Sequence, residues 1–135
     1  MNPLKLILII DDELSIRHIL SRRLTAWGYR VAEAADGRVG VQLAQQESPD
    51  LILLDVMMPV CDGIEASRLL KENPGTKEIP IIFLTALMEG TDSFAIKNPE
   101  AGRRGYSVVG KPYDSLHLHK LIREALNEPP GKTPP

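Results

Sequence analysis

Five side chains able to do chemistry stand where apolar runs end. Asp11 and Asp12 follow Leu6–Ile10, and Asp55 follows Leu51–Leu54. Thr85 closes Ile79–Leu84, and Lys111 lies just past Val108–Val109. The stretch LILLDVMMPVCDG (51–63) poses the problem sharply, because burying an unpaired carboxylate in so apolar a run costs several kcal/mol. Three carboxylates brought together repel, and at least one resists ionising. A hard divalent cation removes that conflict. Magnesium in particular favours a few carboxylates plus water and a phosphate oxygen. Lys111 offers a point charge for an anion, and Thr85 a hydroxyl for the same anion. An aspartate in that company suits nucleophilic attack on phosphorus, giving an aspartyl phosphate.

Each residue also has a plainer reading. Asp11, Asp12 and Glu13 would favour the N-terminus of a following helix by about 0.3–1 kcal/mol. Thr85 can cap the next segment, Lys111 can be a solvated loop lysine, and Asp62-Gly63 reads as a turn with no chemistry. These readings leave one thing unexplained: all five groups sit at strand ends on one sheet edge. In open α/β sheets that edge is where ligands bind.

The elements that must deliver these groups are legible as an alternation. Leu6–Ile10, Leu51–Leu54, Ile79–Leu84 and Val108–Val109 are continuous apolar runs, as expected of strands buried on both faces, and Tyr29–Ala34 is a weaker fifth. Between them, Leu14–Trp27 places Ile16, Ile19, Leu20, Leu24 and Trp27 on roughly one helical face. Asp36 can cap a helix carrying Val39, Leu43 and Ala44. Ile64–Glu72 groups Ala66, Leu69 and Leu70 and stops before Asn73-Pro74. Asp114 can cap Ser115–Asn127, with Leu118, Leu121, Ile122 and Ala125 as its stripe. Residues 86–105 are the least regular, interrupted by Gly90, Asn98-Pro99, Gly102 and Gly105. Five alternations imply an α/β fold with a parallel sheet wrapped by helices on both faces.

Composition fits one domain over residues 1–127, with 128–135 a disordered tail or the start of a linker. The 135 residues are 43% hydrophobic and 25% charged, ordinary proportions for a soluble protein. A net charge of -2 and 4% aromatic residues give no case for nucleic acid or an anionic membrane. Cys61 is the one cysteine, so no internal disulfide or cysteine-rich metal site is possible. The N-terminus lacks the layout of a signal peptide, and Leu6–Ile10 is too short to span a bilayer. A cytoplasmic location is expected. The tail's Gly131-Lys132-Thr133 resembles the end of a phosphate-binding loop, but Leu126 stands where that motif needs glycine. His18, His117 and His119 form no ligand cluster and are expected at the surface. Trp27, ending the first helix, is placed where its fluorescence would miss a change at the acids.

With those pieces in order, ILIIDDE, PDLILLDVMMPVCDG, IPIIFLTA and GKPYD, the chain resembles a receiver domain of two-component signalling, similar to the stand-alone chemotaxis-type response regulators. The resemblance covers about residues 4–127. It implies a flavodoxin-like (βα)5 fold with strand order 2-1-3-4-5. It implies that Asp55 accepts a phosphoryl group from a phosphohistidine on a sensor histidine kinase or a histidine phosphotransfer protein. Asp12 and Asp55 would bind Mg2+ directly, Asp11 through water, and Met57 through its backbone carbonyl. Lys111 would pair with the phosphoryl oxygens, and Thr85 would swing toward them and carry the change outward. The chain would be no enzyme apart from catalysing its own phosphotransfer and slow self-dephosphorylation.

The pattern breaks in two places. The aromatic expected three residues before Lys111 is replaced by Val108, with Tyr106 two residues further upstream. The segment from Thr85 to Lys111 is longer than usual, and its helix is interrupted by Asn98-Pro99. Both departures fall on the signalling face and leave the phosphorylation chemistry intact. Met57 beside the phosphoryl site is a candidate barrier to water that would lengthen the phosphorylated lifetime. Other readings are weaker. A phosphatase of the haloacid dehalogenase type needs a second acid where Met57 stands, and a flavodoxin's phosphate loop would be repelled by Asp11-Asp12-Glu13. A docking module in which phosphorylation is incidental must explain why all five groups are kept. A receiver cut from a longer regulator or hybrid kinase would explain the proline-rich tail.

Overall fold

The computed structural model describes residues 4–55, 63–85, 106–110 and 115–127, with backbone alone for 63–64, 85 and 106–110. Five strands, β1 (Leu6–Ile10), β2 (Arg30–Ala34), β3 (Leu51–Asp55), β4 (Ile81–Thr85) and β5 (Tyr106–Gly110), form one parallel sheet in the order β2-β1-β3-β4-β5. The helices described are α1 (Leu14–Ala26), α2 (Gly37–Glu47), α3 (Gly63–Glu72) and α4 (Ser115–Ala125). This is the doubly wound, flavodoxin-like arrangement that the alternation and the resemblance imply.

The unbroken apolar strands explain themselves once the sheet is assembled. Successive side chains point to opposite faces, so each central strand feeds two cores. Leu8, Ile10, Ile52, Leu54, Ile81 and Phe83 meet Val41 and Ala44 of α2 and Ala66 and Leu70 of α3. Ile7, Ile9, Leu51, Leu53, Ile82 and Leu84 meet Leu20 and Leu24 of α1 and Leu118 and Ile122 of α4. The edge strand β2 is only partly buried, which is why it reads as the weak one.

Local chemistry sets the boundaries. Asp36 caps α2, its Oδ1 accepting the Val39 N–H at 2.9 Å. Gly28 adopts φ +97° just past α1, a conformation that costs glycine little, and the chain turns there into β2. Asp50 ties β3 to β1 twice: its N–H donates to the Leu6 carbonyl at 2.8 Å, and its Oδ2 accepts the Leu6 N–H at 2.8 Å. Gly40 lets α2 press on β1, since a Cβ there would meet Cγ1 of Ile10 at 2.7 Å and Cγ2 at 3.0 Å.

Several expectations are corrected. Asp55 does not follow β3 but is its last residue, and it is buried. Ile79 precedes β4, and β2 begins at Arg30 rather than Tyr29. Ile19 is 53% exposed, because α1 turns only Leu20 and Leu24 fully onto the sheet. Val39 is likewise exposed; α2 buries Ala44 as expected, but with Gly37, Gly40 and Val41 in place of Val39. His119 is buried, not at the surface. It stacks on Trp27 with ring centroids 4.1 Å apart and meets Tyr29 edge-on at 6.3 Å. A helix packed in the angle between a sheet and α1 buries more than a single stripe, and an imidazole with two aromatic neighbours is accommodated there. The irregular 86–105 segment, the Asp114 cap and the 128–135 tail lie outside the described residues. Among those described, no helix is long and apolar enough to cross a membrane.

Candidate functional site

In this strand order the chain leaves β1 for β2 on one side, then returns to β3 on the other. A crevice opens at that reversal, above the carboxyl ends of β1 and β3. The register fixes what flanks it. Ile10 pairs with Leu54, so the next residues on the two strands, Asp11 and Asp55, come level. Asp55 in turn pairs with Leu84 across β3–β4.

Asp11, Asp12 and Asp55 converge there, each offering a carboxylate oxygen, all within 4.8 Å of one another. Asp11 and Asp55 are buried, at 0% and 3% exposure, while Asp12 is exposed. The burial follows from the sheet: one carboxylate ends a central strand and another begins the turn beside it. The donor set fits a hard divalent ion. All three donors are carboxylate oxygens, an ion would relieve their mutual repulsion, and one face of the cluster is open to water and a further ligand.

The turn that presents the acids is closely specified. The Asp11 N–H donates to the Ala34 carbonyl at 3.1 Å, continuing the β1–β2 ladder one step. Asp11 Oδ1 accepts the Glu13 N–H at 3.0 Å, at the entry to α1. That bond shapes the turn before α1 and does not cap it: α1 has no side-chain cap and no acid in its first turn, so the plainer reading of the acids as helix-entry residues does not account for them. The Asp11 carbonyl accepts a 2.7 Å bond from Nη1 of Arg17, whose Nε lies 3.3 Å from Oε1 of Glu33. Neither Arg17 nor Glu33 stands out in the sequence as a residue of this site. The available signal was an arginine in the first turn of α1, flanked by the buried-face residues Ile16 and Leu20.

Thr85 ends β4 and pairs in register with Gly110, the residue before Lys111. The backbone thus brings the end of β4 and the exit of β5 to the same sheet edge as the acids. Lys111 and Met57 lie outside the described residues.

A doubly wound parallel sheet with three acids at its topological switch point defines a flavodoxin-like domain with an acidic crevice. The chain belongs to the response regulator receiver domain family, whose model matches residues 7–123. It is 42% identical to a probable transcriptional regulator, ycf27, of Cyanophora paradoxa, over 96% of this chain and 51% of that protein. It is 40% identical to the response regulator PleD of Caulobacter vibrioides, over 87% of this chain and 25% of that one. The chain thus spans about half of the first of these curated relatives and a quarter of the second. Among solved structures it is similar to the chemotaxis protein CheY4 of Vibrio cholerae, with TM-score 0.82, 31% identity, and coverage of 92% and 100% of the two chains. It is also similar to the receiver domain of the sensor histidine kinase PA1611 of Pseudomonas aeruginosa. There the TM-score is 0.80 at 28% identity, over 93% and 100% of the two chains, and that structure has a magnesium ion coordinated in its active-site cleft.

Proposed function

We propose that this receiver domain accepts a phosphoryl group on Asp55 from a phosphohistidine of a sensor histidine kinase or phosphotransfer protein, in a magnesium-dependent reaction. The observation that carries the reading is the convergence of Asp11, Asp12 and Asp55 at the switch point, with Asp55 held at the end of a buried central strand. A rigid strand end positions a nucleophile better than a loop does, and positioning is much of phosphoryl-transfer catalysis.

Asp12 and Asp55 would hold Mg2+ directly, Asp11 through water, and Met57 through its carbonyl. The ion would neutralise charge on the phosphoryl oxygens and on the acids. An Asp55 carboxylate oxygen attacks phosphorus as the P–N bond to the donor imidazole breaks, and the donor leaves as neutral histidine after taking a proton. Lys111 pairs with the phosphoryl oxygens, and Thr85 hydrogen-bonds them and transmits the change. The chain catalyses its own phosphorylation and slow self-dephosphorylation and signals through protein contacts, by the bias that a new charge gives a two-state surface.

Incubation with Mg2+ and a small phosphodonor, read by intact mass, tests this. A phosphoryl adduct is expected on the wild type and not on Asp55→Ala. Its absence from the wild type at saturating donor and metal would overturn the reading in favour of a docking module.

A further inference from the structure

We infer that Arg17 is a positioning residue for the acid cluster, holding the Asp11–Asp12 turn in the geometry that takes up the cation. This rests on the proposed Mg2+ site. An arginine bonded to the backbone of one acid in the cluster repels an incoming cation, so on electrostatics alone it opposes the site it adjoins. Its geometry gives it another use. The Asp11 carbonyl and the Asp12 N–H belong to one rigid peptide plane. By binding that carbonyl at 2.7 Å, Nη1 of Arg17 fixes the plane and with it the direction in which Asp12 leaves β1.

The N–H and Oδ1 of Asp11 are already held by Ala34 and Glu13, so the Arg17 bond completes the immobilisation of this residue's backbone. Arg17 is itself fixed. Its side chain is only 13% exposed, and its Nε meets Oε1 of Glu33 on β2 at 3.3 Å. Glu33 also offsets the guanidinium charge, leaving the orienting bond with less of the electrostatic penalty. Three elements, α1, the exit of β1 and β2, are joined through one side chain beside the exposed acid. Asp12 needs that support most, since it sits past the end of the sheet and is the exposed member of the cluster.

Charge and positioning predict opposite signs, which makes the test decisive. Removing the cation of Arg17 tightens Mg2+ binding if charge is what matters, and weakens it if orientation is. The 135-residue wild type, Arg17→Gln, Arg17→Lys and the control Arg68→Gln would be titrated with Mg2+ alone by calorimetry. Amide hydrogen exchange at Glu13 would be followed by NMR in metal-free protein. For Arg17→Gln the expected result is about a tenfold weaker Mg2+ affinity, the scale of losing an orienting partner of a metal ligand, together with faster exchange at Glu13. Arg17→Lys keeps the charge but cannot span the carbonyl and Glu33, so it should lose affinity severalfold even if Arg17→Gln fails to fold. Arg68, exposed on α3 and paired with Glu65 and Glu72, should change neither readout. Arg17 variants that bind Mg2+ as well as or better than wild type overturn the inference. A wild type that takes up no Mg2+ is a different result and refutes the metal reading beneath it.

Discussion

Neutralising Asp12 should make the metal-free protein more stable. The carboxylate oxygens of Asp11, Asp12 and Asp55 lie within 4.8 Å of one another. At that separation a pair of unit charges repels by about 3.5 kcal/mol at an effective dielectric of about 20, and by about 0.9 kcal/mol in bulk water. Asp12 has two such neighbours and is exposed, so the wet end of the range applies and the sum is about 2 kcal/mol. For a domain of this size that is a rise in Tm of about 6–8 °C for Asp12→Asn. The assay is thermal unfolding in chelator at low ionic strength, repeated at high salt and with millimolar Mg2+. The gain should shrink in about 1 M salt, where the screening length falls to about 3 Å. Mg2+ should then raise the wild type toward the variant, because an ion that binds only the folded state stabilises it. A variant no more stable than wild type in metal-free, low-salt buffer would refute the reasoning, for it would mean that the three carboxylates do not burden the fold.

Three further outcomes are expected. Gly40→Ala should destabilise by about 1–3 kcal/mol in urea unfolding, as overpacking does, because its Cβ would collide with the branched carbons of Ile10. It should also weaken Mg2+ binding, since Ile10 directly precedes Asp11. Asp50→Ala should cost about 1.5–3 kcal/mol, the worth of a hydrogen bond to a charged group, with the amide of Leu6 losing protection from exchange. Lys71, which donates to the carbonyls of Lys77 and Ile79, has its ammonium pKa lowered by burial, with the Glu78 carboxylate pulling the other way. The unfolded chain therefore keeps this proton to higher pH than the folded one. Stability should rise with pH between the lowered folded value and the ordinary lysine value. Urea titrations should show that rise in the wild type and lose it in Lys71→Met.

Sequence reasoning reached the parallel sheet and the three acids for the same reason: both are written in local pattern. An apolar run with no alternation has one good explanation, burial on both faces, and an acid at its end is conspicuous. The strand order came only through family resemblance, because apolar runs do not say which neighbour each strand takes. Arg17 and Glu33 were missed because their pairing joins α1 to β2 across 16 residues and only the fold brings them together. His119 lies outside the stripe of Leu118, Leu121, Ile122 and Ala125 yet is buried, because a helix wedged between a sheet and another helix buries a wider arc than one stripe.

The stack of Trp27 on His119 also gives the molecule a built-in optical gauge. The chain has a single tryptophan, and its indole ring lies nearly parallel to an imidazole carried by α4, 8° apart in plane. α1 and α4 are distant in sequence, so their contact belongs wholly to tertiary packing. The stacked ring is part of the indole's surroundings, so the emission of this one fluorophore reports whether α4 is seated. The seating of the helix that follows β5 can therefore be followed in real time without attaching a label.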